Sequence, residues 1–306
     1  MPRIDTWAKE SVHGRFNYHQ TFFNITPHII PNIMDLIASV LTVLLGVGGT
    51  AGIVIDKTVA DLVRGNLAKA EQIEVRVDNV PNYQVLQGKV DRVRLAGRGL
   101  YPVSFLRIDA VDLESDPIDV DADALRSDGK LVLRRPLQAA IRVRLRADDI
   151  TAALRAPEVA KSFQGIKIDF SGRNSNQGDI FDIVNPEVQF LEGNRIRLTA
   201  VLKAYPSPKQ PNPQPIAVLA EADLRVKGGV QLEILNPKLS LDGAEFPEQI
   251  TNSFTKGLNQ LLDLRQLNDV GIQARVLQLE LGANYLQVVG FARMENANRF
   301  TASGGR

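Results

Sequence analysis

The residue types that perform most enzyme chemistry are missing from most of this chain. It has no cysteine, and its three histidines are His13, His19 and His28. The lack of cysteine excludes thiolate nucleophiles, disulfides and Cys-based zinc sites. The lack of histidine after His28 excludes an imidazole general base and a Ser-His-Asp triad from the rest of the chain. We therefore predict that the protein is not an enzyme, with no catalytic residue, metal site or cofactor.

An acidic run is the one candidate for a cation site. It comprises Asp116, Asp119, Asp121 and Asp123. Carboxylate oxygens are calcium ligands, but a spacing of two is that of a solvated strand face, and no EF-hand pattern follows. We interpret the run as part of a solvated surface.

A basic run follows, and it consists of Arg134, Arg135, Arg142, Arg144 and Arg146. The last three alternate with apolar residues and therefore share one face of a predicted strand. Arg142, Arg144 and Arg146 are candidates for contact with phospholipid headgroups. Cross-strand pairing with carboxylates is the alternative.

The composition narrows the choice of partner. The net charge is +1 and aromatic residues make up 6% of the chain. A near-neutral protein lacks the positive electrostatic field that attracts nucleic acid. Few aromatic side chains also means few surfaces on which bases could stack. We predict no nucleic-acid partner.

An uncharged segment runs from Leu36 to Ile55. Its 20 residues would span about 30 Å as a helix, which is the thickness of a bilayer core. We predict a transmembrane helix or signal anchor over 33–55, with a cleaved secretory signal and a buried core helix as alternatives. Cations are balanced on its two sides, so the positive-inside rule gives no orientation.

The chain after this segment alternates apolar and polar residues with a period of two. Such stretches are 73–77, 93–95, 118–122, 141–147, 166–170, 196–198, 224–226, 230–234, 277–281 and 286–288. This alternation indicates antiparallel strands with one buried and one solvated face. Apolar residues at helical spacing predict helices over 56–70, 148–163 and 247–264, the second of them divided at Pro157.

Together these elements predict an α+β fold, in which a twisted antiparallel sheet wraps around long amphipathic helices behind one N-terminal transmembrane helix. The expected organisation is a polar tail over 1–32, the membrane segment over 33–55, an α+β domain over 56–295 and a tail over 296–306. The proline-rich stretch 205–215 is an exposed loop.

Three stretches resemble the LmeA-like phospholipid-binding proteins of bacteria, and are most similar to cyanobacterial members. They are 86–100 (LQGKVDRVRLAGRGL), 143–154 (VRLRADDITAAL) and 261–267 (LLDLRQL), within a likeness that covers 57–294. The resemblance implies a tubular lipid-binding fold, phospholipid binding and a place at the cell envelope. It carries no catalytic residues. The tail 1–32 and the loop 205–215 depart from the family.

The resulting hypothesis is a membrane-anchored protein that holds acyl chains in an apolar tube and serves lipid transfer or envelope maintenance. The predicted lining comprises Leu62, Leu67, Val75, Val77, Phe163, Ile250, Phe254, Leu258, Leu261 and Leu262. The expected partners are a phospholipid or other acyl lipid and a membrane. The expected location is that of a single-pass membrane protein, with its domain on the periplasmic or lumenal side. The alternative is a membrane-tethered scaffold or assembly factor with a filled core and a protein partner.

Overall fold

The structure is a computed structural model that describes most of the chain after residue 59. It covers residues 60–61, 63–65, 67–128, 132–168, 179–206, 211–245, 251–252, 255–256, 259 and 262–295. The segment Leu36–Ile55, the tails 1–32 and 296–306, and part of the predicted helix 247–264 lie outside the described residues.

Strands dominate the described residues. The first six are β1 (Lys69–Asp78), β2 (Lys89–Val90), β3 (Arg92–Val103), β4 (Leu106–Ser115), β5 (Ile118–Asp119) and β6 (Leu137–Arg146). The next four are β7 (Ile166–Ile168), β8 (Asp179–Leu191), β9 (Arg195–Ala204) and β10 (Ile216–Lys227). The last four are β11 (Gln231–Leu241), β12 (Ala244–Glu245), β13 (Ile272–Leu281) and β14 (Tyr285–Met294).

The strands form two six-stranded sheets and one small pair. Sheet 1 has the order β1-β3-β4-β6-β14-β13, and sheet 2 has the order β12-β11-β10-β9-β8-β7. Strands β2 and β5 pair with each other. All of these pairings are antiparallel, as the alternating sequence predicted.

The helices are short. Three α-helices have both ends within the described residues: α1 (Ala122–Asp128), α2 (Ala147–Arg155) and α3 (Pro157–Ala160). Short 3-10 helices cover Asn82–Gln87, Lys161–Phe163 and Leu264–Val270. Residues 60–61, 63–65, 251–252, 255–256 and 259 are also helical. The predicted division at Pro157 is confirmed, because Pro157 opens α3 and the preceding Ala156 is extended.

The predicted wrapping of a sheet around long amphipathic helices is wrong. The longest bounded helix, α2, has nine residues, and the domain is mainly two antiparallel sheets. Most of the segments that join the strands are short turns, which leave no room for a long helix between them. Sequence periodicity marked most of the strands, but it missed β4 and β8 and gave too much weight to the helical segments between strands.

The predicted single-pass membrane protein is also corrected. Within the described residues, no helix has both the length and the apolar character needed to cross a bilayer. A helix needs about 20 residues for this, whereas α2 spans about 14 Å at 1.5 Å per residue. The predicted location on a periplasmic or lumenal side assumed a single-pass anchor, and it falls with that anchor.

The larger hydrophobic cluster lies on β1 and β3. Its buried members are Val63, Ile73, Val75, Val85, Val90, Val93, Leu100, Ile118, Val120, Ala122 and Met294. The 3-10 helix Asn82–Gln87 and the β2–β5 pair close one end of this cluster through Val85, Val90 and Val120. One edge of sheet 1 is thus packed like an ordinary core.

Candidate functional site

Sheet 1 has one apolar and one charged side. Leu95 lies opposite Leu113, and Leu113 lies opposite Ile141, so these three side chains form a row across β3, β4 and β6. The next row runs from Val111 through Val143 to Val288 on β14. All six side chains are only partly buried. The middle of sheet 1 therefore presents an apolar surface that the described residues do not fully cover.

Sheet 2 has an apolar side of the same kind. It carries Val188 and Phe190 from β8, Ile196, Leu198, Ala200 and Leu202 from β9, Val218, Ala220, Ala222 and Leu224 from β10, and Leu232, Ile234, Leu239 and Leu241 from β11. Phe190 and Leu202 are buried, whereas Val218, Ile234 and Leu239 are partly exposed. The side chains of β8 and β9 are thus better covered than those of β11.

The two apolar sides meet at a second hydrophobic cluster. There Ala147, Val188 and Phe190 are buried, and they pack with Ile150, Leu154, Ile196, Leu198, Leu281 and Leu286. Leu281 and Leu286 come from sheet 1, whereas Val188 and Phe190 come from sheet 2. The apolar surface therefore continues from one sheet into the other.

Hydrogen bonds fix this junction along β13. The amide of Val276 donates to the carbonyl of Gly229 over 2.7 Å, and the amide of Leu281 donates to Asn194 Oδ1 over 3.2 Å. Gly229 and Asn194 both lie in the hairpin turns of sheet 2, with positive φ angles of 74° and 59°. The two turns thus accept hydrogen bonds from amides of β13, which is the edge strand of sheet 1. The hairpin turns of sheet 2 therefore lie against this edge.

Helix α2 bridges the sheets on a second side. The amide of Val188 on β8 donates to Thr151 Oγ1 over 2.9 Å, and Arg155 Nε donates to the carbonyl of Pro186 over 2.8 Å. Arg107 on β4 donates to Asp149 in the first turn of the helix over 2.9 Å. The polar side chains of the helix therefore bind a strand of each sheet, while Ala147, Ile150 and Leu154 of the same helix pack in the second cluster.

Two joined sheets with a continuous, partly open apolar side form a surface suited to an elongated apolar ligand. The model of the LmeA-like phospholipid-binding family matches residues 46–291, well over half of the 306-residue chain. The chain belongs to the LmeA-like phospholipid-binding family. The resemblance noted in the sequence is thereby confirmed.

The LmeA-like match supports phospholipid as the class of ligand, and the family is a lipid-binding one. No curated protein and no solved structure shows a significant match to the chain.

The structure places the predicted LmeA-like lining in several locations. Val75 is buried in the larger cluster, and Leu67 and Val77 pack against it. Phe163 is partly buried in a 3-10 helix before β7, and the carbonyl of Leu262 accepts from the amide of Leu232 over 3.1 Å. The other predicted lining residues lie outside the described residues: Leu62, Ile250, Phe254, Leu258 and Leu261.

The predicted headgroup arginines lie on the charged side of sheet 1. Arg142 donates to Asp112 over 2.6 Å, and Arg144 donates to Asp109 over 2.6 Å. The Arg144 guanidinium also lies 5.9 Å from the centre of the Tyr285 ring. Arg146 is exposed and makes no ion pair with another residue that the structure describes. Cross-strand pairing thus engages two of the three arginines.

These pairs change the ionisation of the carboxyl groups. Burial is the largest single influence and raises the pKa of Asp109 and of Asp112, whereas the hydrogen bonds from Arg144 to Asp109 and from Arg142 to Asp112 lower it. Arg107 and Arg98 add to the effect, so the pKa of each carboxyl lies below its ordinary value. Both carboxylates are therefore charged at neutral pH.

A surface cavity of about 460 Å³ crosses the charged side of sheet 1. Its lining includes charged and small residues of that side together with the apolar residues that alternate with them along each strand. The lining residues are Glu74, Val75, Arg76, Arg94, Leu95, Ala96, Asp112, Leu113, Glu114, Ala140, Ile141, Arg142 and Val289. Ala96 and Ala140 leave room at its floor. A second cavity, of about 530 Å³, lies between β11 and the helical residues Asn252, Thr255, Lys256 and Asn259, and is lined mainly by polar side chains.

Asp121, one residue of the acidic run, has a structural role. Asp121 Oδ1 accepts from the amides of Asp123 and Ala124 at the start of α1, and its carboxylate faces Arg134 at 3.5 Å. Within the described ranges, no group of three or more His, Cys, Asp or Glu residues could hold a metal ion.

Sequence analysis missed the row Leu113–Ile141 and the bridging residue Arg107. Both had a signal, because Leu106-Arg-Ile-Asp-Ala110 and Ile141-Arg-Val-Arg-Leu145 alternate with a period of two. That period identifies faces within one strand, but not which strands lie side by side.

Proposed function

We propose that this protein binds a phospholipid by laying its acyl chains along the joined apolar sides of sheets 1 and 2, and that it carries the lipid between membranes. The observation that carries the proposal is the partly exposed apolar row through Leu113 and Ile141, which continues past Leu286 to the apolar side of sheet 2.

The dimensions suit such a ligand. A ten-residue strand such as β14 is about 33 Å long, and five strand spacings across a six-stranded sheet make about 24 Å. Each methylene that leaves water contributes about 0.8 kcal/mol, so a long acyl chain gains substantial binding free energy without any polar contact. The surface needs shape and apolarity rather than reactive groups, in agreement with the lack of cysteine and histidine after His28.

The charged side of sheet 1 is the wrong surface for acyl chains. Its arginines and carboxylates are paired with each other, and covering those pairs with hydrocarbon would remove their water without a replacement. Acyl chains are therefore expected on the side of Ile141, and water on the side of Arg142.

Lipid content provides the test. The full chain is purified without detergent, extracted with organic solvent and examined by native mass spectrometry beside the extract. We expect co-purified phospholipid in defined stoichiometry, and uptake of a fluorescent phospholipid by the emptied protein. A chain with no bound lipid and no uptake would overturn the proposal. Movement of the fluorescent lipid from donor to acceptor vesicles tests the transfer step separately.

A further inference from the structure

An exposed apolar cluster marks one end of the domain. The large apolar side chains that are exposed among the described residues are Val80, Tyr83, Leu86, Ile180, Tyr205, Leu219 and Leu277. Val80, Tyr83 and Leu86 fall within seven consecutive residues, between β1 and β2. They are 82%, 62% and 42% exposed. The other four belong to β8, β10, β13 and the residue after β9, and Tyr205 lies beside Ile180, to whose carbonyl its amide donates over 2.9 Å. Among the described residues, the segment 80–86 differs from these in holding three exposed apolar side chains within seven consecutive residues.

Two of the three residues share one face of a short helix. Tyr83 and Leu86 belong to the 3-10 helix Asn82–Gln87, which has three residues per turn, so side chains three apart lie above one another. Val80 precedes this helix and is separated from it by the extended Pro81. Val85, between them, points the other way and is 4% exposed in the larger cluster. The helix thus fixes one apolar face inward and presents another outward.

The segment is held firmly at its base. Asn79 is buried, its Nδ2 donates to the carbonyl of Pro81 over 3.2 Å, and its Oδ1 accepts from the amide of Asp91 over 3.1 Å. Asp91 Oδ2 in turn accepts from the amide of Val80 over 2.8 Å. The carbonyl of Gly88 accepts from the amide of Val120 over 2.9 Å. These bonds prevent the segment from folding its apolar side chains inward.

We propose that Val80, Tyr83 and Leu86 form a membrane-docking face that inserts into the headgroup region of a lipid bilayer. A fixed apolar face on a folded domain marks an interaction site, and shallow insertion of such a face is how interfacial segments bind membranes. Tyr83 has the apolar body and polar tip that suit this depth. The inference rests on the proposed function, since a bilayer is the source of the phospholipid that the domain takes up.

The position of the segment supports a bilayer as the occupant. Val85 and Val90 pack in the same cluster as Ile73 and Val75, so the docking face lies at the end of the apolar side of sheet 1. The segment 79–91 carries one cation, Lys89, and one anion, Asp91. Its attraction to the bilayer is therefore apolar, and docking should depend little on anionic lipid or on salt.

Flotation with vesicles tests the docking face. The full chain is mixed with phosphatidylcholine vesicles, with and without one-fifth phosphatidylglycerol, and compared with the variant Val80→Ser/Tyr83→Ser/Leu86→Ser. We expect the triple variant to bind vesicles at least about tenfold more weakly, because three apolar side chains no longer leave water. The matched control, Ile180→Ser/Leu219→Ser/Leu277→Ser, should bind like the unchanged protein. Equal flotation of both variants, or no flotation of the unchanged chain, overturns the inference and points to a protein partner.

A second variant does not depend on a loss of binding. Trp7→Phe/Tyr83→Trp places the single tryptophan on the docking face. We expect its emission to shift to the blue on vesicle addition and to be quenched by brominated phosphatidylcholine, whereas an unshifted and unquenched emission overturns the inference. Lipid extraction separates the two proposals: a chain that holds no phospholipid but docks through Tyr83 contradicts the proposed function and supports this one.

Discussion

Arg107 on β4 donates a hydrogen bond to Asp149 in the first turn of α2 over 2.9 Å. The same guanidinium bonds to Glu71 on β1 and to Asp109 on its own strand. Its pKa is raised, with the Glu71 hydrogen bond as the largest cause, so it is charged at every accessible pH. Because α2 also bonds to β8 of sheet 2, Arg107 couples the edge of sheet 1 to the junction between the sheets.

We expect the substitution Arg107→Met to lower the free energy of unfolding by about 2 kcal/mol, because it removes the guanidinium that bonds to the partly buried Asp149 and leaves Asp109 with Arg144 alone. Urea unfolding at pH 7 measures this. The matched control is Arg76→Met, whose side chain is 69% exposed beside Asp78 and should have little effect. Equal losses for the two variants would contradict the bridging role.

The stability should fall in acid because of Asp109 and Asp112. Their pKa values are lower in the folded chain than in the unfolded one, so the folded state binds fewer protons. Their contribution is therefore fully present above the unfolded pKa of about 3.9 and is lost as the pH falls through the folded values. Urea unfolding between pH 7 and pH 2.5 should show this decline. The variant Asp109→Asn/Asp112→Asn should show a shallower decline, and an unchanged slope would exclude these two carboxylates.

Opposite sides of β6 should respond differently to an added ring. Ile141 points to the apolar side and Ala140 to the charged cavity. We expect Ile141→Trp to reduce co-purified phospholipid several-fold by occupying the space of the acyl chains, whereas Ala140→Trp leaves it unchanged. Lipid extraction per mole of folded protein measures both. The reverse order would place the lipid on the charged side.

Two glycines with positive φ should differ in their tolerance of a side chain. Gly88 has φ +86° and a Cβ there would lie 2.1 Å from the carbonyl oxygen of Val120, whereas Gly193, with φ +75°, has open space. We expect Gly193→Ala to cost about 1 kcal/mol for its backbone conformation and Gly88→Ala at least about 2 kcal/mol more for the clash. Thermal and urea unfolding measure the loss of stability in each variant. Equal losses would show that the backbone at Val120 moves aside without an energetic penalty.

Local sequence patterns predicted most of the strands, but not β4 or β8. The alternation over 73–77 and 141–147 predicted β1 and β6, since one face of each strand is apolar and the other charged. Asp148 and Asp149 correctly marked the first turn of α2, and Pro157 marked its end. In 118–122 the alternation persisted beyond β5 into the start of α1, where Asp121 binds the helix amides instead.

The sequence by itself determined the antiparallel strands, their apolar sides, the lack of Cys and His chemistry after His28, and the likeness to a phospholipid-binding family. The tertiary structure decided that these strands form two sheets, that Leu281 meets Phe190 at their junction and that Arg107 reaches Asp149. It also decided that Val80, Tyr83 and Leu86 face water. The reason is that a side-chain period is a property of one strand, whereas neighbours distant in sequence are chosen by the packing of the whole chain.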